Sequence, residues 1–412
     1  MCPLPILAQG QVHRRILQAN QLMTTTETEI FDLLDQKRDD SSEMLDRMVE
    51  HFRGSRQPME LFEALKMRTR CRLGLPLVTS EDEPMRPEEV ERQLELGLLD
   101  ACREAGTMLI EEGRVADGWM YLRPTGDTEL ARQLISRVEI TEDNYDEMIQ
   151  VLLHEGIDVG RGFQAVIDHQ GTCNSITLYE QSIVGRSKSD RKAAASRLLD
   201  HLYEELILLV RADIASRESP PGDDETLSDM VEKRRWLLED GGYHLDTTHL
   251  SSTVRIAALL DDPVQLKKAW ELTQYGRRLH HQFQYPGEEP FVDFYPAHAA
   301  YFSILLGDHV DAGLKMFERK ARTVDATAQG TAAIETYVDL LDRVGRPTEA
   351  VEAAIELAPD ELPPQRIVPL LIEIAGRAKA KGDLAAFEAI TKYCRKHNDV
   401  LGYAAVLHAS TT

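Results

Sequence analysis

The sequence predicts an all-α fold of antiparallel helical hairpins, and three observations carry that expectation. Four stretches read alike: EEGRVADGWMYL from Glu111, LLGDHVDAGLKMF from Leu305, RVGRPTEAVEAAI from Arg343 and AKGDLAAFEAI from Ala380. In each, a helical apolar pattern stops at a Gly followed by Arg or Asp, and a second helix opens with a small residue shortly after. Gly307, Gly345 and Gly382 lie 38 and 37 residues apart, room for one helical hairpin per repeat. Alternating runs of Val, Ile and Thr are absent, and turn signals cut the chain into pieces of helix length.

Taken in order, residues 1–22 read as a flexible extension or a start-site artefact, because Met23 followed by TTTETEIFDLL carries the capping residues of a first helix. Residues 23–80 form N-terminal helices, with Ser41 and Ser42 as an N-cap and Pro58 in a first turn. An acidic, proline-containing joint follows at 80–87. Residues 87–217 form a first helical region: an amphipathic helix over Pro87–Glu112, one hairpin at Gly113, caps at Thr141 and near Thr172, and one long helix over Ser189–Ser216. The stretch ESPPGDDE, 218–225, reads as a linker from its two prolines and four acids. Beyond it, 226–412 holds helices around Leu227–Glu239, Thr247–Leu260, Pro263–Phe283, Pro296–Leu306 and Val310–Thr323, with repeats over 296–412 that are most regular from Thr331 to Ala409.

A total of 47 Lys+Arg against 70 Asp+Glu gives a formal charge of −23, which repels phosphate backbones and argues against nucleic acid as partner. Five cysteines, Cys2, Cys71, Cys102, Cys173 and Cys394, lack CxxC spacing and fit a reducing, cytoplasmic compartment. Pro3 and Pro5 interrupt the first apolar residues, and no run is long enough to span a bilayer, so neither a signal peptide nor a membrane partner is expected.

The segment Thr336 to Pro359, TYVDLLDRVGRPTEAVEAAIELAP, resembles a tetratricopeptide repeat: Gly345 in the inter-helix turn, Ala350 five residues later, and Ala354 at a close crossing. The hairpins at Gly307 and Gly382 resemble it more loosely, with Ala312 and Ala386 as the small residues, and at Gly113 the small residue is Gly118. The resemblance covers about a third of the chain and implies an α-solenoid whose concave face holds a peptide or another protein. Any antiparallel helix pair with a tight turn selects Gly and Ala in the same places, so helix-on-helix packing is expected with or without the repeat family.

Phosphate loops, HExxH, GxSxG and Rossmann glycine patterns are missing, and no cofactor is expected. Cys173 follows a cap near Thr172, where a helix dipole favours thiolate, with His169 just upstream; the alternative is a small buried cysteine behind an ordinary cap. His201 with Glu205, and His244 with Asp246 and His249, have residue types and spacings that can ligate a metal. Capping and core-edge roles explain the same histidines. Tyr285, Phe291, Phe294, Tyr295 and Tyr301, in a proline-stiffened stretch, can either line a peptide groove or pack a long loop. Basic spots stand at 186–192, at 233–235, and at Arg277 and Arg278; were they to converge on one face, an acidic peptide or a nucleotide would become admissible. The expected function is a non-catalytic scaffold for a protein or peptide, favouring a basic one through its acidic surface. The alternative is a metal- or thiol-dependent enzyme in the central region.

Overall fold

The structure, a computed structural model, describes residues 30–80, 83, 85–359 and 362–412. The expected extension at 1–22 and the first cap near Met23 lie outside the described residues, as does part of the joint at 80–87. Among the described residues the regular secondary structure is helical throughout. The chain divides into two compact units, one up to Ala165 and one from Val166.

In the first unit, α1 (Ser41–Gly54), α2 (Pro58–Arg72), α3 (Glu88–Glu111) and α4 (Val115–Leu122) pack in chain order, followed by α5 (Thr128–Ile135) and α6 (Tyr145–Ile149). The α1 cap falls one residue earlier than the serines predict: the Asp40 carboxylate accepts from the backbone N–H groups of Ser42 and Glu43, each at 3.1 Å. Pro58 is the first residue of α2, as expected. The cap position expected at Thr141 falls on Asn144, which makes no side-chain bond to α6; its Oδ1 accepts instead from the upstream Thr141 N–H at 2.8 Å. At the α3–α4 crossing, a Cβ on Gly118 would meet the Gly106 carbonyl at 2.8 Å and the Ile110 nitrogen at 3.0 Å. These are backbone atoms, so two facing glycines are the only fit. Around them Ile110, Val115, Leu122, Ala131, Ile135 and Met148 close a core.

The second unit contains α8 (Lys188–Arg217), preceded by α7 (Val159–Leu178), which is interrupted at Gly171 (φ 78°, ψ 174°). Leu198, Leu199, Leu202, Leu206, Val210 and Ile214 bury one stripe of the 30-residue α8. Then come α9 (Leu227–Lys233), α10 (Thr247–Ala257), α11 (Pro263–Gly276), α12 (Phe294–Leu305), α13 (Val310–Thr323), the single turn α14 (Ala326–Gln329), α15 (Ala332–Arg343), α16 (Pro347–Leu357), α17 (Pro364–Lys379), α18 (Ala385–Lys396) and α19 (Val400–Thr411). From α12 onward each long helix packs on its sequence neighbours in hairpin order, the stacking that makes an α-solenoid.

Two helices are shorter than the periodicity predicts. The run from Leu227 leaves the α region at Arg234 (φ −127°) and resumes as a 3-10 segment, and α11 stops at Gly276. A Cβ on Gly276 would lie 2.3 Å from the Tyr295 ring, so this residue is kept for close approach to α12.

The hairpin turns share one hydrogen-bond pattern. The Gly345 N–H bonds the Asp342 carbonyl at 3.0 Å and the Arg346 N–H bonds the Leu341 carbonyl at 2.8 Å, with Gly345 at φ 82°. This pair of bonds satisfies two orphan carbonyls of α15 and demands a left-handed residue between them. Gly113, Gly307 and Gly382 repeat it, and Arg56 and Asn398 occupy the same position without being glycine (φ 53° at both). The residue after the turn anchors it. Arg346 pairs with Asp311 at 2.5 Å, and Asp383 accepts from the Ala385 N–H at 2.9 Å and from Thr348 Oγ1 at 2.6 Å.

Ala350, Ala354 and Ala386 are buried at their crossings as expected, but Ala312 is exposed. Gly313 takes its place, since a Cβ there would sit 2.5 Å from Ile304 Cγ1. The expected linker at 218–225 lies inside the second unit and is fastened there. Pro221 is buried, Arg211 donates to the Gly222 carbonyl at 3.1 Å and the Glu225 carbonyl at 3.2 Å, and Arg234 pairs with Glu225 at 2.7 Å. Composition alone reads such a stretch as solvated, because the arginines that bind it are outside it in sequence.

Candidate functional site

The candidate thiol site is a pair of surface residues. Gly171 breaks α7, Thr172 opens the following segment, and Cys173 lies in its first turn, exposed rather than buried behind the cap. His169 is exposed on the other side of the break. Ser175 Oγ donates to the Gly171 carbonyl at 2.9 Å, so the break is an ordinary start of a helical segment.

The candidate metal ligands serve separate local purposes. His201 Nε2 stands 3.9 Å from Glu205 Oε2 on the surface of α8. Asp246 caps α10, accepting from the Thr248 hydroxyl at 2.6 Å and from the N–H of Thr248 at 2.7 Å and of His249 at 3.4 Å; the hydroxyl bond first, and the backbone bonds after it, hold its carboxyl below the usual range. His244 points inward: its Nδ1 is 2.9 Å from the Tyr275 hydroxyl and its Nε2 is 3.4 Å from Asp213. Burial lowers its pKa against the opposing pull of Asp213. Among the described residues no three His, Cys, Asp or Glu side chains come together as a metal site would require.

The aromatic candidates split. Tyr295 and Tyr301 are 1% and 4% exposed, which removes both from any contact face. Their burial has a physical cause: the proline-flanked segment folds inward, where Phe291 stacks on His298 with ring centroids 4.0 Å apart and meets Tyr301 and Phe317 edge-on. His298 donates from Nδ1 to the Phe294 carbonyl at 2.8 Å, and burial pushes its pKa down to about 4. The Tyr301 hydroxyl receives Arg343 Nη1 at 2.6 Å, and the same nitrogen donates to the Ala258 carbonyl at 2.7 Å, capping the end of α10. Of the five, Tyr285 alone is well exposed; Phe291 and Phe294 are half-buried.

Sequence reasoning missed two features. One is Glu271, 2% exposed on α11, whose Oε2 accepts from the Tyr203 hydroxyl at 2.8 Å and from the Leu227 N–H at 3.1 Å. It caps α9 from another helix, and nothing local in the sequence marks it. The other is an open groove of about 320 Å³ across α11, α12 and α13, bordered by Trp270, Gln274, Arg277 and His309 and floored by Pro296, Ala299 and Ala300. The sequence carried a signal for this one: Lys267, Trp270, Gln274 and Arg277 recur at i, i+3, i+7 and i+10, a single stripe of α11. A groove of the first unit is lined instead by paired charges, Arg103 with Asp100 at 2.9 Å and Glu104 with Arg53.

No family model and no curated protein matches this chain. Among solved structures, a chain described as "Circular tandem repeat protein with novel repeat topology and enhanced subunit contact surfaces" matches over 98% of this chain and 92% of its own length. The identity is 16% and the TM-score 0.17, too low to carry an argument about fold or function. The helical-repeat architecture rests on the turns and packing above.

Proposed function

We propose that this chain is a non-catalytic scaffold of tetratricopeptide-like type that binds a protein or peptide segment on its stacked hairpins. The observation that carries the reading is the groove over three successive helices, α11 to α13, walled by a half-buried Trp270 and floored by small residues. A solenoid presents such furrows because neighbouring helices diverge at the surface while small side chains hold them close below. The cytoplasm is the proposed location. Cys71, Cys102, Cys173 and Cys394 are free thiols, and among the described residues no helix is long and apolar enough to cross a membrane.

The net charge of −23 draws basic partners from a distance, but within a Debye length of roughly 8 Å the local side chains decide. The test is capture from the native cell with the full chain, then reconstitution of the purified pair by titration calorimetry. A direct one-to-one complex supports the scaffold reading. Substrate turnover by the purified chain, with no protein partner that survives reconstitution, sinks it.

A further inference from the structure

We propose that the α11–α13 groove, taken as the contact surface of the scaffold reading on which this inference rests, receives an acidic peptide segment. The stripe Lys267, Trp270, Gln274 and Arg277 supplies two cations, one flat ring and one amide, all on the same helix face. Ten residues of α-helix span about 15 Å, the length of four or five extended peptide residues.

Both cations are exposed to solvent. Arg277 is exposed and donates to Gln274 Oε1 at 3.1 Å, and Lys267 Nζ sits 4.0 Å over the Trp270 ring. Among the described residues neither cation lies within ion-pair distance of a carboxylate. In a chain with 70 acidic residues, two such cations flanking a groove wall leave a local positive strip that a carboxylate can complete.

The floor selects what lies between the carboxylates. Pro296, Ala299 and Ala300 leave room for one aliphatic side chain against Trp270. At the far lip, His309 takes a left-handed backbone (φ 51°), which sets the course of the chain into α13 at this end of the groove. Asp308 beside it offers a carboxylate to peptide N–H groups and keeps acidic side chains toward the Arg277 end.

Two fluorescein-labelled peptides of about twelve residues test this by anisotropy. They share the same Leu and Gly positions, one carrying Asp and Glu elsewhere and the other Lys. The acidic peptide should bind, and Arg277→Glu and Trp270→Ala should each weaken it about tenfold, roughly 1.4 kcal/mol. Arg277→Lys and Trp270→Phe should recover part of the loss, and Arg366→Glu, a charge reversal at another exposed position, should change it less than about twofold. Melting curves of each variant guard against unfolding. The inference is overturned if the Lys peptide binds as well or better, if Arg366→Glu matches Arg277→Glu, if neither peptide binds, or if an RNA oligonucleotide outcompetes the acidic peptide at the same residues. A reconstituted partner that binds Trp270→Ala normally would refute the groove and leave the scaffold standing; absence of any direct partner would refute the scaffold whatever the peptides do.

Discussion

From α12 to α19 each hairpin of the second unit is closed by rules that act within a few residues of its turn, whereas from α8 to α11 the helices are tied to one another and to their loops by polar bonds that no local rule sets. In the first region a left-handed residue closes each tight hairpin and a small residue seats the returning helix, as at Gly345 with Ala350 and Gly382 with Ala386. In the second, Glu271 joins Tyr203 and Leu227, His244 joins Asp213 and Tyr275, and Arg211 and Arg234 pin the 218–225 loop. Local closure can be repeated along a chain at little cost in uniqueness. Long-range polar ties fix one arrangement, because each buried group left without its partner is penalised.

The largest effect should come from breaking local closure where it meets backbone. Gly118→Val in the first unit would drive side-chain atoms against the Gly106 carbonyl and should cost about 3 kcal/mol or more, read as a lost or non-cooperative urea transition. A wild-type midpoint would mean that α3 and α4 do not cross at these glycines.

Next in size is a pH effect at the junction of the two regions. His298 is neutral in the folded chain with a pKa of about 4, against 6.5 when unfolded, so the unfolded chain binds more protons between those values. Stability is therefore complete above about pH 6.5 and falls as pH drops toward 4, by about 3 kcal/mol at most from this group. His244, also depressed, adds in the same direction. His298→Phe should flatten the slope of melting temperature against pH in that window, and an unchanged slope would show that the imidazole is not buried among Phe291, Phe294 and Phe302.

The long-range ties should break for about 2 kcal/mol each. Glu271→Ala strands the Leu227 N–H and the Tyr203 hydroxyl in a buried site, while Tyr203→Phe alone removes one donor and should cost less. In a double-mutant cycle the losses should be clearly non-additive; additivity would mean the three groups do not meet.

This contrast also explains what could be read before the structure. The four glycine turns, the α8 helix and the buried Ala350, Ala354 and Ala386 were legible because each depends on spacing within one hairpin or one helix face. The fastening of 218–225, the inward turn of Tyr295 and Tyr301, and the capping role of Glu271 were not, since each depends on partners in a different element of the chain. For the candidate site the same limit applied: Arg277 was visible as a basic spot, but its alignment with Trp270 beside a groove needed the placement of α12 and α13.

The smallest predicted effect tests the local rule at its exceptions. Gly345→Val places a β-branched residue at φ 82° and should destabilise by about 1–2 kcal/mol. Arg56 occupies the equivalent turn between α1 and α2 at φ 53°, so Arg56→Gly should relieve strain rather than create it. The arginine also pairs with Glu111 at 3.3 Å and Glu112 at 3.2 Å, but half its side chain is in solvent, and such pairs contribute a few tenths of a kcal/mol. Strain relief of up to about 1 kcal/mol should outweigh that loss and raise the melting temperature slightly, more so at high salt, where the ion pairs are already screened. A fall in melting temperature at high salt would show that the left-handed residue is not what closes this hairpin.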